Sequence, residues 1–213
     1  IIASVSKNRP LIKAYDLQVQ IGSGGNADVW EAIGPGNRRV AVKVLRTVHA
    51  NRESYRRFQR EVREHELLTK RAFPGVLPLL DHRLPEEASV QDPAWLAMPV
   101  AVELTKALGD EPPLEAAVAA LAAVADTLAR LHAEQLAHRD VKPANCYRHE
   151  GAWVISDFGL IQTADAETSL TVGAKALGPR NFIAPEMLVR PEQADGSAAD
   201  VYSLGKALFA LAA

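Results

Sequence analysis

The hydrophobic pattern of this chain changes close to residue 100, and that change constrains the fold more than any other feature. Before it, short apolar segments alternate with polar residues and end at turns that contain Gly or Pro, which is typical of strands. After it, apolar residues recur at helical spacing from Leu114 to Leu131, as on one face of a long helix. We therefore expect an α+β protein with two lobes, a strand-rich lobe at residues 1–99 and a mainly helical lobe at residues 100–213.

The local pattern also predicts the individual elements. The first strands flank turns that contain glycine and should form an antiparallel sheet. Strands are expected at residues 15–21, 29–33, 40–45, 76–80, 95–98, 145–148 and 153–156. Helices are expected at residues 53–71, 114–131 and 199–212. The apolar stripe of the first helix is narrow and consists of Phe58, Val62, His65 and Leu68.

Composition excludes several classes of function. The 24 basic and 26 acidic residues nearly cancel, which argues against nucleic-acid binding as the main role. A single cysteine, Cys146, allows neither an internal disulfide nor a cysteine-based zinc site, so we expect a reducing, cytoplasmic location. The longest apolar stretch contains Glu115, Asp126 and Arg130 and is too polar to cross a bilayer. A membrane anchor elsewhere in a longer protein remains an open alternative.

Two glycines lie between the first two predicted strands, in the turn Gly22-Ser23-Gly24. Glycine lets the backbone approach a ligand closely and direct N–H groups at phosphate oxygens. The same residues also fit an ordinary hairpin turn. They do not form a dinucleotide-binding fingerprint, because a strand follows them and not a helix.

Lys43 lies between apolar residues of the third predicted strand. A lysine on a buried strand is costly unless an anion compensates its charge, although an outward-facing lysine would fit the alternation equally well. Glu61 is the preferred anion, because it lies on the side of the first helix that should face the sheet. Glu64 is the competing candidate.

The densest cluster of chemically active residues is His138-Arg139-Asp140-Val141-Lys142-Pro143-Ala144-Asn145. Asp140 can orient a hydroxyl, Lys142 can meet developing phosphate charge, and Asn145 offers an amide oxygen to a metal. Asp157, in Asp157-Phe158-Gly159, adds a carboxylate at the end of a strand. One Asn and one Asp suit Mg²⁺, which takes its other ligands from phosphate and water. The set therefore predicts phosphoryl transfer.

In this order, from Ile21 to Gly205, the motifs resemble those of eukaryotic-type protein kinases. Lys142 is typical of Ser/Thr kinases, including their bacterial members. The resemblance implies a bilobal kinase fold and transfer of the γ-phosphoryl group of ATP to protein hydroxyls, with Mg²⁺ or alternatively Mn²⁺. A pseudokinase-type scaffold and a small-molecule kinase of related fold are the competing hypotheses.

The resemblance also implies a role for each site residue. Asp140 would be the catalytic base and Lys142 the partner of the γ-phosphate, while Asn145 and Asp157 would bind the metal. Lys43, paired with Glu61, would hold the α- and β-phosphates. The residues around the nucleotide would be Ile21, Gly22, Gly24, Val29, Ala41, Lys43, Met98 and Val100. Asp200 resembles the buried helix aspartate that anchors the catalytic loop.

The chain departs from the family pattern at several positions. Ala27 replaces the third glycine of the loop, which is tolerated if its φ stays negative. In the family, residues 99–101 would form the hinge whose backbone meets the adenine edge, and Pro99 removes one N–H donor from it. Pro179 stands where Ser/Thr kinases usually carry threonine, so a hydroxyl near the catalytic residues is lost. The chain also stops after the Asp200 helix, and we expect an incomplete helical lobe.

Regulation by phosphorylation is a further expectation. Arg139 places a cation beside the catalytic loop, where a phosphate could be captured. Self-phosphorylation is expected at Thr168, Ser169 and Thr171, which lie in the polar segment before Pro179. A flexible solvated loop without this role is the alternative.

Overall fold

The computed structural model describes residues 10–24, 26–46, 52–158, 162–163, 182–191 and 193–212. The described residues group into two compact units, one within 1–59 and 79–100 and the other within 60–78 and 101–213. In chain order the elements are β1 (Asp16–Gly24), β2 (Ala27–Gly34), β3 (Arg38–Leu45), α1 (Arg52–Lys70), β4 (Asp81–Arg83), β5 (Trp95–Pro99), β6 (Val102–Glu103), α2 (Leu104–Leu108), α3 (Leu114–Ala133), β7 (Leu136–Ala137), β8 (Cys146–His149), β9 (Ala152–Ile155), β10 (Gln162–Thr163), α4 (Pro185–Val189) and α5 (Gly196–Ala212).

The first unit contains an antiparallel sheet with the strand order β1-β2-β3-β5-β4. One face of the sheet carries the apolar core, because alternate residues of each strand point to the same side. That core consists of Ile12, Tyr15, Leu17, Trp30, Ala32, Val40, Val42, Val44, Trp95 and Ala97. At Gly34 a Cβ atom would lie 2.7 Å from the Tyr15 ring, so glycine lets this ring pack on the strand.

The predicted strand at residues 76–80 was wrong, because the strand that pairs with β5 is Asp81–Arg83. Val76 forms only an isolated bridge with Ile155, and the Leu77 N–H donates to the Ile155 carbonyl at 3.0 Å. Pro78 has no N–H for a ladder, and the apolar pattern reflects burial of a loop. The other long strands and helices are confirmed, with ends that differ by a few residues.

The second unit is mainly helical, and α3 packs against α5 and β9. Its core consists of Leu68, Phe73, Val76, Leu104, Ala120, Leu121, Val124, Leu128, Leu131, Leu136, Val141, Cys146, Ile155, Phe158 and Ala207. Gly75 has a φ of +80°, and a Cβ there would lie 1.8 Å from the Thr127 hydroxyl oxygen, so both backbone and packing demand glycine. The sheet of the first unit and the helices of the second confirm the expected α+β class.

No helix in the described part of the chain combines the length and the apolar character that a membrane crossing requires.

Candidate active site

A buried carboxylate anchors the loop that follows β7. Asp200 on α5 is fully buried, and its two oxygens accept hydrogen bonds from the backbone N–H groups of His138, at 2.8 Å, and Arg139, at 2.7 Å. The ring Nε2 of His132 on α3 lies 2.8 Å from the same carboxylate. Arg139 has a φ of 64°, an uncommon conformation for a side-chain-bearing residue. Asp200 therefore holds the loop in a shape that the local sequence would not favour.

The loop brings two predicted catalytic residues, Asp140 and Lys142, and one predicted metal ligand, Asn145, into direct contact. The Lys142 ammonium donates to the Asp140 carboxylate at 2.7 Å. The Asn145 amide nitrogen donates to the backbone carbonyl of Asp140 at 2.8 Å and to its carboxylate at 3.0 Å. The side chains of Asp140 and Lys142 are only 15% and 16% exposed. Because Asn145 uses its amide nitrogen on Asp140, the amide oxygen is the atom that it can offer to a metal.

The electrostatic environment of Asp140 suits a proton acceptor. Burial raises the pKa of the Asp140 carboxyl above its ordinary range, and the Lys142 ammonium counters part of that rise. The negative charge of Asp157 raises the pKa of Asp140 further. A carboxylate with increased proton affinity that stays within reach of a hydroxyl is a better general base than a solvated one.

Asp157 follows β9 in a left-handed conformation, with a φ of 74°. The next residue, Phe158, is fully buried, and its ring lies between those of His65, at 5.3 Å, and His138, at 5.2 Å. Aromatic pairs at these distances are favourable. Burial of the Phe158 ring therefore fixes the backbone that carries Asp157.

His138 connects the two loops of the site. Its Nε2 lies 3.1 Å from the carbonyl of Ser156, and its Nδ1 accepts the N–H of Asp140 at 3.3 Å. A carbonyl can only accept and an N–H can only donate, so this pattern fits the tautomer that carries its proton on Nε2. The loop with Asp140 and the segment with Asp157 are thereby held in one hydrogen-bonded arrangement.

Two supporting histidines, His65 and His132, were not predicted from the sequence. We placed His65 only in an apolar stripe and gave His132, at the end of α3, no part in the site, yet His65 packs on Phe158 and His132 contacts Asp200. The ring of His65 is fully buried and also bonds the carbonyl of Leu77. A histidine within an otherwise apolar helix stripe was the available signal, because such a ring needs a buried polar partner.

In the first unit, strand register places the predicted nucleotide residues on one face of the sheet. Val29 lies opposite both Gly22 and Lys43, and Ala41 lies opposite Met98. Directly opposed residues share a face, and so do residues two apart along a strand. This face is the one that does not carry the apolar core.

The two loop glycines leave open space over that face. A Cβ at Gly24 would have no heavy atom within 4 Å, and one at Gly22 would come no closer than 3.5 Å to Val29. Neither glycine has a positive φ, so neither backbone conformation nor packing requires glycine there. The open space would let a ligand such as a phosphate group approach the backbone, and the nucleotide role of these glycines stays a prediction.

The remaining predicted nucleotide residues flank this face. Ile21 lies at an irregularity in the β1–β2 register and is 43% exposed, and Val100 directly follows β5. Glu61 is buried, whereas Glu64 is half-buried and burial raises the pKa of its carboxyl. Glu61 groups with the second unit and Lys43 with the first, and their pairing stays a prediction.

Arg139 is buried beneath the segment that contains α4. Its guanidinium lies 3.3 Å from the Met187 sulfur and donates to the Pro191 carbonyl. Burial lowers the pKa of Arg139, and the Asp200 carboxylate counters this effect. The expected phosphate acceptors Thr168, Ser169 and Thr171, and also Pro179, lie outside the described residues.

The donor set fits a hard divalent cation. Asn145 and Asp157 offer oxygen atoms, which Mg²⁺ and Mn²⁺ prefer. Within the described ranges, no group of three or more His, Cys, Asp or Glu side chains is arranged to hold a metal ion. A cation bound by one amide and one carboxylate would need further oxygen ligands, and a triphosphate supplies them.

Comparison with known proteins gives a consistent result. The family model described as the protein kinase domain matches residues 15–213. The chain is 34% identical over 206 residues to the probable serine/threonine-protein kinase PkwA of Thermomonospora curvata, covering 92% of this chain and 26% of that protein. It is 34% identical over 209 residues to the DNA damage-responsive serine/threonine-protein kinase RqkA of Deinococcus radiodurans, covering 93% and 29%.

A third relative is the serine/threonine-protein kinase PknA of Mycobacterium tuberculosis, at 33% identity over 202 residues. That match covers 90% of this chain and 44% of PknA. The chain therefore spans less than half of the length of each of these curated relatives.

Proposed function

The chain belongs to the protein kinase family, and on this basis we propose that it transfers the γ-phosphoryl group of ATP to serine or threonine hydroxyls of a protein substrate. The contact of Asp140 with Lys142 and Asn145, with Asp157 close enough to influence the Asp140 pKa, is the observation that carries the proposal. We further propose that the lobes at 1–99 and 100–213 form one catalytic domain.

The second unit supplies the groups that act on the transferred phosphoryl group. Asp140 accepts the proton of the substrate hydroxyl, and its raised pKa favours that role. Lys142, held at 2.7 Å from Asp140, supplies positive charge for the γ-phosphate oxygens. Asn145 and Asp157 would hold the divalent cation, which would neutralise phosphate charge.

The first unit binds the nucleotide. Gly22 and Gly24 admit the phosphates to the loop backbone, and Lys43 holds the α- and β-phosphates. The apolar residues on and beside the same sheet face pack on the adenine; these are Ile21, Val29, Ala41, Met98 and Val100. Charge neutralisation and positioning account for most of the catalysis in phosphoryl transfer, so accurate placement of these groups matters more than covalent chemistry.

Mg²⁺ is the proposed cation, with Mn²⁺ as a substitute. Both are hard ions that accept oxygen ligands from an amide, a carboxylate and phosphate. We also propose self-phosphorylation at Thr168, Ser169 and Thr171, which mass spectrometry of protein incubated with Mg-ATP would detect. A cytoplasmic location is proposed from the single buried cysteine, Cys146.

The decisive experiment compares the wild type with Asp157→Ala in phosphate transfer from radiolabelled ATP to an acceptor protein. Losing a metal ligand should reduce transfer by about a thousandfold or more. Asp126→Ala, which removes an exposed aspartate from the middle of α3, is the matched control and should retain activity. Equal background transfer by wild type and Asp157→Ala would refute the catalytic assignment and favour a binding scaffold.

A further inference from the structure

A side chain from the end of β3 reaches into the glycine-containing β1–β2 hairpin. The guanidinium of Arg46 donates to the Asp28 carboxylate at 3.0 Å, to the Ser23 hydroxyl at 2.8 Å and to the backbone carbonyl of Gly24 at 2.7 Å. We call Arg46, Asp28 and Ser23 the loop clamp. Gly24 and Ala27 form the last pair of the hairpin, so the clamp acts at its tip.

The members of the loop clamp also hold each other. The Ser23 hydroxyl donates to the second Asp28 oxygen at 2.9 Å, and the amide of Gln20 donates to the same oxygen at 3.0 Å. Asp28, on β2, thus receives hydrogen bonds from two side chains of β1 and from Arg46. The Arg46 and Asp28 side chains are 33% and 22% exposed, so the pair is partly shielded from water.

Two further hydrogen bonds fix the far side of the tip. The backbone N–H of Arg46 donates to the Asn26 carbonyl at 2.7 Å. The Asn26 amide donates to the hydroxyl of Ser54, a buried residue in the first turn of α1, at 2.9 Å. The tip is therefore tied both to the end of β3 and to the start of α1.

A hairpin tip that contains glycines loses much conformational entropy when a ligand orders it. Contacts that order the tip beforehand remove part of that loss from the binding step and so increase affinity. The Gly24 carbonyl is the important partner, because the peptide bond is planar and fixing its carbonyl fixes the orientation of that whole peptide group. Asp28 balances the charge of Arg46, so the arrangement is a structural tie and not an open cationic site.

We propose that the loop clamp is a positioning device that holds the Gly22–Gly24 backbone ready for the triphosphate. The clamp lowers the KM for ATP and has little effect on kcat, since its residues do not act on the transferred phosphoryl group. This inference rests on the proposed kinase function. Direct binding of phosphate by Arg46 is the competing explanation, and it predicts a different effect of changing Asp28.

The test compares Arg46→Gln, Asp28→Asn and the double variant, with KM for ATP, kcat and KM for the acceptor protein measured for each. Each single variant should raise the KM for ATP about fivefold, as expected from losing partly exposed charge-assisted hydrogen bonds. The double variant should be no worse than either single one, because both remove the same network. Arg46→Lys should be intermediate, since one ammonium cannot reproduce the planar fork.

Arg83→Gln is the matched control. Arg83 lies on β4, at the opposite edge of the sheet, and forms a bidentate ion pair with Asp92. The distance from Arg83 Nη2 to Asp92 Oδ2 is 2.6 Å. Removing that pair should change the KM for ATP less than about twofold, as is usual for exposed ion pairs. Thermal melting of all variants would show that each is folded.

The outcomes separate the explanations. An unchanged KM for ATP in folded Arg46→Gln overturns the loop clamp, and so does tighter ATP binding by Asp28→Asn, which would indicate direct contact of Arg46 with phosphate. A fall in kcat without a change in KM also overturns it. A wild type that binds no ATP refutes the proposed function itself, whereas normal wild-type kinetics with unaffected variants refute only the clamp.

Discussion

The two units hold their candidate residues by different interactions. In the second unit, Asp140, Lys142 and Asn145 contact one another, and the fully buried Asp200 fixes their loop through its backbone. In the first unit, strand register alone aligns Gly22, Val29 and Lys43, and partly exposed side chains fix the hairpin tip.

The side chains of the two units therefore depend on different interactions for their positions. A side chain on a strand is placed by backbone pairing, so replacing it leaves its neighbours where they were. A loop with unusual backbone angles needs a specific partner, and losing that partner releases every group that the loop carries. Replacing a residue that anchors the loop of the second unit should therefore displace the other residues of that loop. Replacing a strand residue of the first unit should leave its neighbours in place.

The largest expected effect is that of Asp140→Asn, which removes the proposed base and keeps its shape. Transfer should fall by about a thousandfold while ATP binding stays unchanged, because the nucleotide residues belong to the first unit. Radiolabelled transfer and calorimetric ATP binding measure the two quantities. Equal losses in both would contradict the assigned role.

Asp140→Asn should abolish most of the transfer activity but should not lower the stability of the fold. A carboxyl whose pKa is raised in the folded state favours folding below its unfolded pKa and loses that contribution as pH rises through the folded pKa. Above its folded pKa, Asp140 is therefore a charge that burial disfavours, and at such pH Asp140→Asn should melt no lower than the wild type. A clear drop in Tm would show that its contacts with Lys142 and Asn145 outweigh its burial.

A second, smaller effect is expected for Asp200→Ala. It leaves the N–H groups of His138 and Arg139 buried without their acceptor, which should lower the free energy of unfolding by about 3 kcal/mol. Asp195→Ala is the control at the start of the same helix, where the carboxylate accepts the N–H of Ser197 at 2.9 Å. Losing that exposed cap should cost about 1 kcal/mol. Denaturant unfolding that ranks the two variants equally would contradict the anchoring role of Asp200.

The smallest expected effect is a shift in pH dependence. The proposed base must be ionised to accept a proton, so activity should decline as pH falls through the pKa of Asp140, at a higher pH than for an ordinary aspartate. Lys142→Met removes the cation that lowers this pKa, so the acid limb should move to still higher pH. Lys106→Met, at an exposed lysine of α2, should leave the limb in place.

The contact among the residues of the loop after β7 could be predicted, because these residues are close in sequence. Asp140, Lys142 and Asn145 lie within six residues, and a tight loop must bring them together. Strand register now places Val29, Ala41, Lys43 and Met98 on one face, whereas alternation alone left the orientation of Lys43 open. The strand expected at 76–80 failed because apolar content indicates burial but does not identify the element that buries it.

The order of amino acids specifies which chemical groups this protein has and the alternation that aligns them on strands and helices. The distant partners that hold these groups emerge only when the elements pack: Asp200 accepts the N–H of His138 across 62 positions, His65 packs on Phe158, and Arg46 binds Asp28 across 18 positions. The physical reason is that local patterns report a residue's own preference for burial or exposure. The partner that satisfies a buried polar group depends on how whole elements pack, which no short stretch of sequence specifies.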